Sequence, residues 1–182
     1  VCLAKSANKH NRLYLTAEPL PEELIQELES KELTTRDPKK LYEVLTKKYG
    51  WEPHHAKKVW AIGPEDEPTN MFVDCVVGAQ YMDEIKASVV VGFNRGCYEG
   101  VLTEEKLRGV RFNLVDVTMH ADAIHRGLSQ VMAPVIRAMN ACQLVNGTTL
   151  LEPHFKVTVS TTKAMTGTIY SDQKLQKGIR DR

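Results

Sequence analysis

Residues 111–145 read RFNLVDVTMHADAIHRGLSQVMAPVIRAMNACQLV. The first nine, RFNLVDVTM, alternate apolar and polar side chains, the period of a strand. The last seventeen, SQVMAPVIRAMNACQLV, carry apolar residues at helical spacing, with Pro134 expected in or near the first turns. Ser129 is placed to begin that helix as a cap. Between the two runs lies HADAIHRG, residues 120–127, which holds two histidines, an aspartate and an arginine. A strand, a short polar connection and a helix in succession imply a mixed fold.

The flanking sequence extends the pattern. RLYLTAEPL (12–20) alternates as a strand. PEELIQELES (21–30) has Pro21, Glu22 and Glu23 suited to a helix start, with Leu24, Ile25 and Leu28 on one face. RDPKKLYEVLTKKYG (36–50) is a second helix, with Asp37 as cap, Pro38 in the first turn and Gly50 at the exit. AKKVWAIGP (56–64) and MFVDCVVG (71–78) read as strands. QYMDEIKASVVVGFNRGCYEG (80–100) places Tyr81, Ile85, Ser88, Val89 and Phe93 near helical spacing. Its end, NRGCYEG (94–100), reads as a Gly-bracketed loop presenting Arg95 and Tyr98. Mixed strands and helices define an α/β (α+β) class. The first domain is expected over residues 1–151.

Glu152 and Pro153 break the chain. Beyond them Phe155, Val157 and Val159 alternate as a strand, and Thr162 suits the start of a helix toward Gly178. One strand and one helix bury no core of their own, so residues 152–182 read as the incomplete beginning of a second domain. Residues 160–182 are expected to be the least well supported part of the chain. The opening, VCLAKSANKHNR, reads as a piece of a longer protein.

Composition narrows the function. The chain has 182 residues, 42% hydrophobic and 26% charged, with a net charge of +1. That is globular composition without a global basic field, so any nucleic-acid contact must come from a local cluster. The four cysteines, Cys2, Cys75, Cys97 and Cys142, form no CxxC pair. They read as reduced thiols, with the cytoplasm as the expected compartment. No apolar run is long enough to span a membrane.

Three chemistries compete for residues 120–127. His120, Asp122 and His125 are legitimate metal ligands, and a small metal-dependent hydrolase is one reading. That reading lacks a fourth ligand and rigid support, so no metal is expected. A nucleophile elbow and a P-loop are both absent from the sequence. The third reading is RNA contact. Lys5, Lys9, His10 and Arg12 form an acid-free cluster in KSANKHNR, and Arg126 lies next to a helix start that offers free N–H groups. Residues 5–12, 94–100 and 120–127 are then expected to share one end of the domain.

The string DVTMHADAIHRG (116–127) resembles the fourth domain of the elongation factor 2 family of translocation GTPases. KSANKHNR, YGWEPHHAKKVWAIGP, QYMDEIKASVVVGF, LRGVRFN and LLEPHFKV resemble further family strings in the same order. Leu128 and Ser129 stand where the family has glycines, and Ala7 where it has proline. The resemblance implies a domain like the second domain of ribosomal protein S5, followed by a truncated ferredoxin-like appendage. It implies no enzyme activity and no cofactor in this chain, since GTP and Mg belong to a GTPase domain of the parent protein. It implies the ribosome as partner, through small-subunit rRNA at the decoding centre, with tRNA and mRNA. The tip that the resemblance implies comprises Lys5, Lys9, His10, Asn11, Arg12, Arg95, His120, Asp122, His125 and Arg126. His125 matches the histidine that this family converts to diphthamide, which brings in diphthamide-synthesis enzymes and ADP-ribosylating toxins as possible partners. A cytoplasmic monomer is expected. Spliceosomal and ribosome-assembly GTPases of related architecture are the near alternative.

Overall fold

Strand β5 (Val110–Thr118) occupies the middle of a five-stranded sheet in the computed structural model, which describes residues 1–152, 158, 160–165 and 167–168. The other strands are β1 (Cys2–Lys5), β2 (Arg12–Pro19), β3 (Val59–Gly63) and β4 (Asn70–Asp74). Their order across the sheet is β1-β2-β5-β4-β3. Only the β4–β5 pair is parallel; β1–β2, β2–β5 and β3–β4 are antiparallel. A parallel pair needs a crossover, and α4 (Met82–Tyr98) supplies it. The remaining helices are α1 (Glu22–Glu29), α2 (Pro38–Lys47), α3 (Pro53–Lys57) and α5 (Leu128–Val145).

Side-chain alternation along β4 explains the layering. Every residue of β4 is buried. Met71 packs with Leu24, Leu28, Leu41 and Leu45 of α1 and α2, whereas its neighbour Phe72 packs with the cluster built on α4 and α5. Successive strand residues face opposite sides, so helices cover both faces at this strand. Phe93 of α4 sits edge-on between Phe72 and Phe112, with ring centroids 5.5 and 6.3 Å away. Such tilted pairs add to the burial of large apolar area.

Two glycines set the approach of α4 to α5. A Cβ on Gly92 would lie 3.1 Å from the Met132 carbonyl oxygen, and one on Gly96 2.9 Å from Met139 Cε. This corrects the reading of residues 94–100 as a loop: Asn94 to Tyr98 are the last turns of α4, and Gly96 is a packing residue. Two short elements also went unforeseen, β1 and the five-residue α3. The α2 cap is as expected, since the Asp37 carboxylate accepts from the Lys40 N–H at 3.1 Å. Ser129 is not a cap, because α5 already begins at Leu128 with Gly127 before it, and Pro134 falls in its second turn.

All four cysteines are free thiols. Burial raises the Cys97 thiol and pushes the Cys142 thiol up to about 12, so both are packing groups and not nucleophiles. The chain divides into two units, Val1–Thr149 and Leu150–Arg182. In the second, a single 3-10 turn is described, Lys163–Met165. The expected strand through Phe155, Val157 and Val159 and most of the helix toward Gly178 lie outside the described residues.

The aromatic stack gives a direct test. Phe93→Ala should cost about 3–5 kcal/mol, the usual range for emptying a packed phenylalanine site, and a urea titration would read the loss as a lower midpoint with an unchanged slope.

Candidate nucleic-acid interface

The register of β2 on β5 pairs Arg12 with Thr118. The turn entering β2 and the connection leaving β5 therefore emerge at the same end of the sheet. Residues 6–11 form that turn, with Lys9 at its corner in the left-handed region at φ 62°. Residues 123–126 wind into one 3-10 turn before α5 begins.

Carboxamides join the two segments. Asn11 is wholly buried, donates from Nδ2 to the His125 carbonyl at 2.7 Å, and accepts from the His120 N–H at 3.1 Å. Asn8 donates to the same His125 carbonyl at 3.1 Å, and its own N–H donates to Gln130 Oε1 at 3.1 Å. Ser6 Oγ supports both, accepting from the Asn11 N–H at 3.0 Å and donating to the Asn8 side chain. Backbone groups of a polar connection, ordinarily left to water, are here satisfied from a segment more than a hundred residues away.

Arg126 closes the other side. Its guanidinium is buried, donates to the carbonyls of His120 and Ala121, pairs with Glu84, and lies 3.8 Å over the Tyr81 ring. Tyr81 and Glu84 belong to the start of α4, so this end of the sheet gathers three separate segments.

The outcome for the expected tip is mixed. Lys5, Lys9, His10 and Arg12 are exposed, as is Asp122; His120 and His125 are half-buried. Asn11 and Arg126 are corrections to the expected exposure, because both are buried and hold the loop. Arg95 is a second correction. It is exposed on α4 eleven residues beyond Glu84, about 16 Å along the helix axis. The end of that helix serves another cluster, in which Tyr98 and Lys106 both bind Asp66 at 2.7 Å. Lys106 first, then Tyr98, lowers the Asp66 carboxyl to about 2. Ser6, Asn8, Tyr81, Glu84 and Gln130 were not foreseen. Only Asn8 carried a signal, as an asparagine beside a turn corner.

Three imidazoles crowd the surface that remains. Ring centroids of His10, His120 and His125 are 4.5 to 4.8 Å apart. Ligand atoms of His120, Asp122 and His125 all lie within 4.8 Å of one another. His120 Nδ1 accepts from the Asp122 N–H at 3.0 Å, so in the neutral ring the proton sits on Nε2. Ile124 and Leu128 flank the rings and are 82% and 52% exposed. The surface offers N–H donors, flat faces and apolar edges, with flexible cations beside them.

A mixed sheet carrying such a tip beside its parallel strand pair defines an α/β domain of the type found as the second domain of ribosomal protein S5. The family model described as elongation factor G, domain IV, matches residues 27–145, more than half of the chain. The chain belongs to this family of translation elongation factor domains. The match begins in the last turn of α1, after β1 and β2, and runs through α2 to α5 with the 120–127 connection. Domain IV is not the nucleotide-hydrolysing domain of such factors.

Asn11→Ala should destabilise the protein by about 1–3 kcal/mol, since it removes the acceptor of the part-buried His120 N–H and one of the two carboxamide donors to the His125 carbonyl. Hydrogen exchange would show the loss concentrated at residues 119–127, with the α1–α2 amides unchanged.

Proposed function

We propose that this chain is the tip domain of an elongation factor 2-type translocase, and that its histidine cluster contacts RNA in the small-subunit decoding centre. The observation that carries the reading is the joining of the 6–11 turn to the 120–127 connection through Asn8 and Asn11. It fixes the exposed face of the very segment that resembles the family's tip. The family membership supports work on the ribosome during translocation.

The chemistry fits that task. Double-stranded RNA is read through its shallow groove, by 2′-hydroxyls and phosphates. Imidazole N–H groups pair with those oxygens, and Lys5, Lys9 and Arg12 supply phosphate contacts. Ile124 and Leu128 offer apolar contact to ribose or base faces. Arg126 contributes by holding the loop, not by touching RNA. The domain would follow tRNA and mRNA through translocation and oppose their return, while GTP and Mg act in a separate domain of the parent protein.

His125 is the proposed site of diphthamide formation. Its carbonyl is anchored by Asn8 and Asn11 while its ring is partly open to solvent, which leaves the ring available to modifying enzymes and to ADP-ribosylating toxins acting on the product. Leu128 and Ser129 in place of glycines start α5 immediately after Gly127, and the loop still closes. The factor is proposed to act as a cytoplasmic monomer.

In the parent factor, His125→Ala should impair reading-frame maintenance while changing domain stability by less than about 1 kcal/mol, because the loop is held by backbone and not by the ring. Frameshift reporters together with thermal melts check this. Normal frame maintenance with a large melting shift would make His125 structural and overturn the reading.

A further inference from the structure

We propose that His10, His120, His125 and Asp122 form a binding site for a borderline divalent metal ion of the zinc, cobalt or nickel class. Sequence spacing argued against such a site, because three ligand types in one connection lacked a fourth donor and rigid support. The fold supplies the support and sets a further imidazole, His10, beside the three residues whose ligand atoms already cluster. His10 arrives from the turn between β1 and β2, its ring 4.8 Å from that of His120 and 4.7 Å from that of His125. The connection itself is anchored through Asn8, Asn11 and Arg126.

The geometry is close to what such an ion needs. With metal–nitrogen bonds of about 2.0–2.1 Å, imidazole rings around a tetrahedral ion have centroids about 5 Å apart. The three observed separations, 4.5, 4.7 and 4.8 Å, fall just inside that value. The His120, Asp122 and His125 ligand atoms, within 4.8 Å of one another, need small side-chain rotations to converge. Asp122 and His10 are exposed and have room to make them. Three neutral imidazoles and one carboxylate are a donor set that favours borderline ions over magnesium or calcium.

Binding at His120 Nδ1 exchanges the 3.0 Å bond from the Asp122 amide for a metal–nitrogen bond, and the exposed amide returns to water. The site is independent of the ribosomal reading, because it is measured on the protein alone. A chain that binds metal without contacting the ribosome keeps this proposal and loses the other.

The test is titration of chelator-stripped protein with Co2+, followed by its visible absorption, and then displacement by Zn2+ under calorimetry. One ion per chain is expected, with the intense bands of a four-coordinate site. His10→Ala, His120→Ala and Asp122→Ala should each weaken binding at least tenfold. A His54→Ala/His55→Ala double variant, which removes the adjacent histidines of α3, should bind as the parent does. His10 and Asp122 are exposed, so their variants remain folded, and circular dichroism verifies this. Absence of the cobalt bands, affinity that survives loss of both His10 and His120, or affinity lost only in the His54/His55 variant would each overturn the proposal.

Discussion

The buried carboxamide of Asn11 is the constraint on which the histidine-bearing end of this domain depends. One side chain accepts from the His120 amide and donates to the His125 carbonyl, so both ends of the connection are fixed at a single point. A polar loop usually takes its hydrogen bonds from water and remains mobile for that reason. Here the bonds come from Asn8, Asn11 and Arg126, and the 3-10 turn has little conformational freedom left. Rigidity is what a contact surface requires, because ordering a loose loop on binding costs free energy that an already ordered one does not.

Charge is distributed along the same logic. Arg126 lies in the same connection as His120 and His125, yet its two terminal nitrogens are taken by carbonyls and Glu84 and its plane lies over the Tyr81 face. Elsewhere, Arg108 bridges Glu22 and Glu29, and Lys106 bridges Asp66 and Glu67. These exposed pairs contribute little to stability individually, but they neutralise the surface away from the tip. Lys5, Lys9 and Arg12 therefore stand out locally on a chain whose net charge is only +1.

Much of the fold was legible because periodicity is a burial signal. The alternation in β2 and β5 and the spacing in α1, α2 and α5 each reflect one apolar face turned inward. The misreadings have equally physical causes. Gly96 resembled a turn residue because glycine permits turns, whereas its lack of a side chain serves the close approach of α4 to Met139. Strand β1 and helix α3 are too short to display a period. Asn11 and Arg126 entered the expected tip through the resemblance, which carries no information about burial. Their burial depends on partners far along the chain, which no local pattern contains. His10 was expected to share one end of the domain with His120 and His125, and the pairing of β2 with β5 is what brings the three rings together.

That pairing has a consequence for how the domain comes into being. Strand β2 leaves the ribosome roughly a hundred residues before β5, and synthesis at about 5–20 residues per second spaces them by several seconds. Until then the β1–β2 hairpin has no neighbour on its inner edge, and a lone hairpin is at best marginally stable in water. The contacts from Asn8 and Asn11 to His125 close a loop of more than a hundred residues, so their entropic cost falls late, after the central strand has docked. The histidine-bearing end of the domain is thus the last part to assemble.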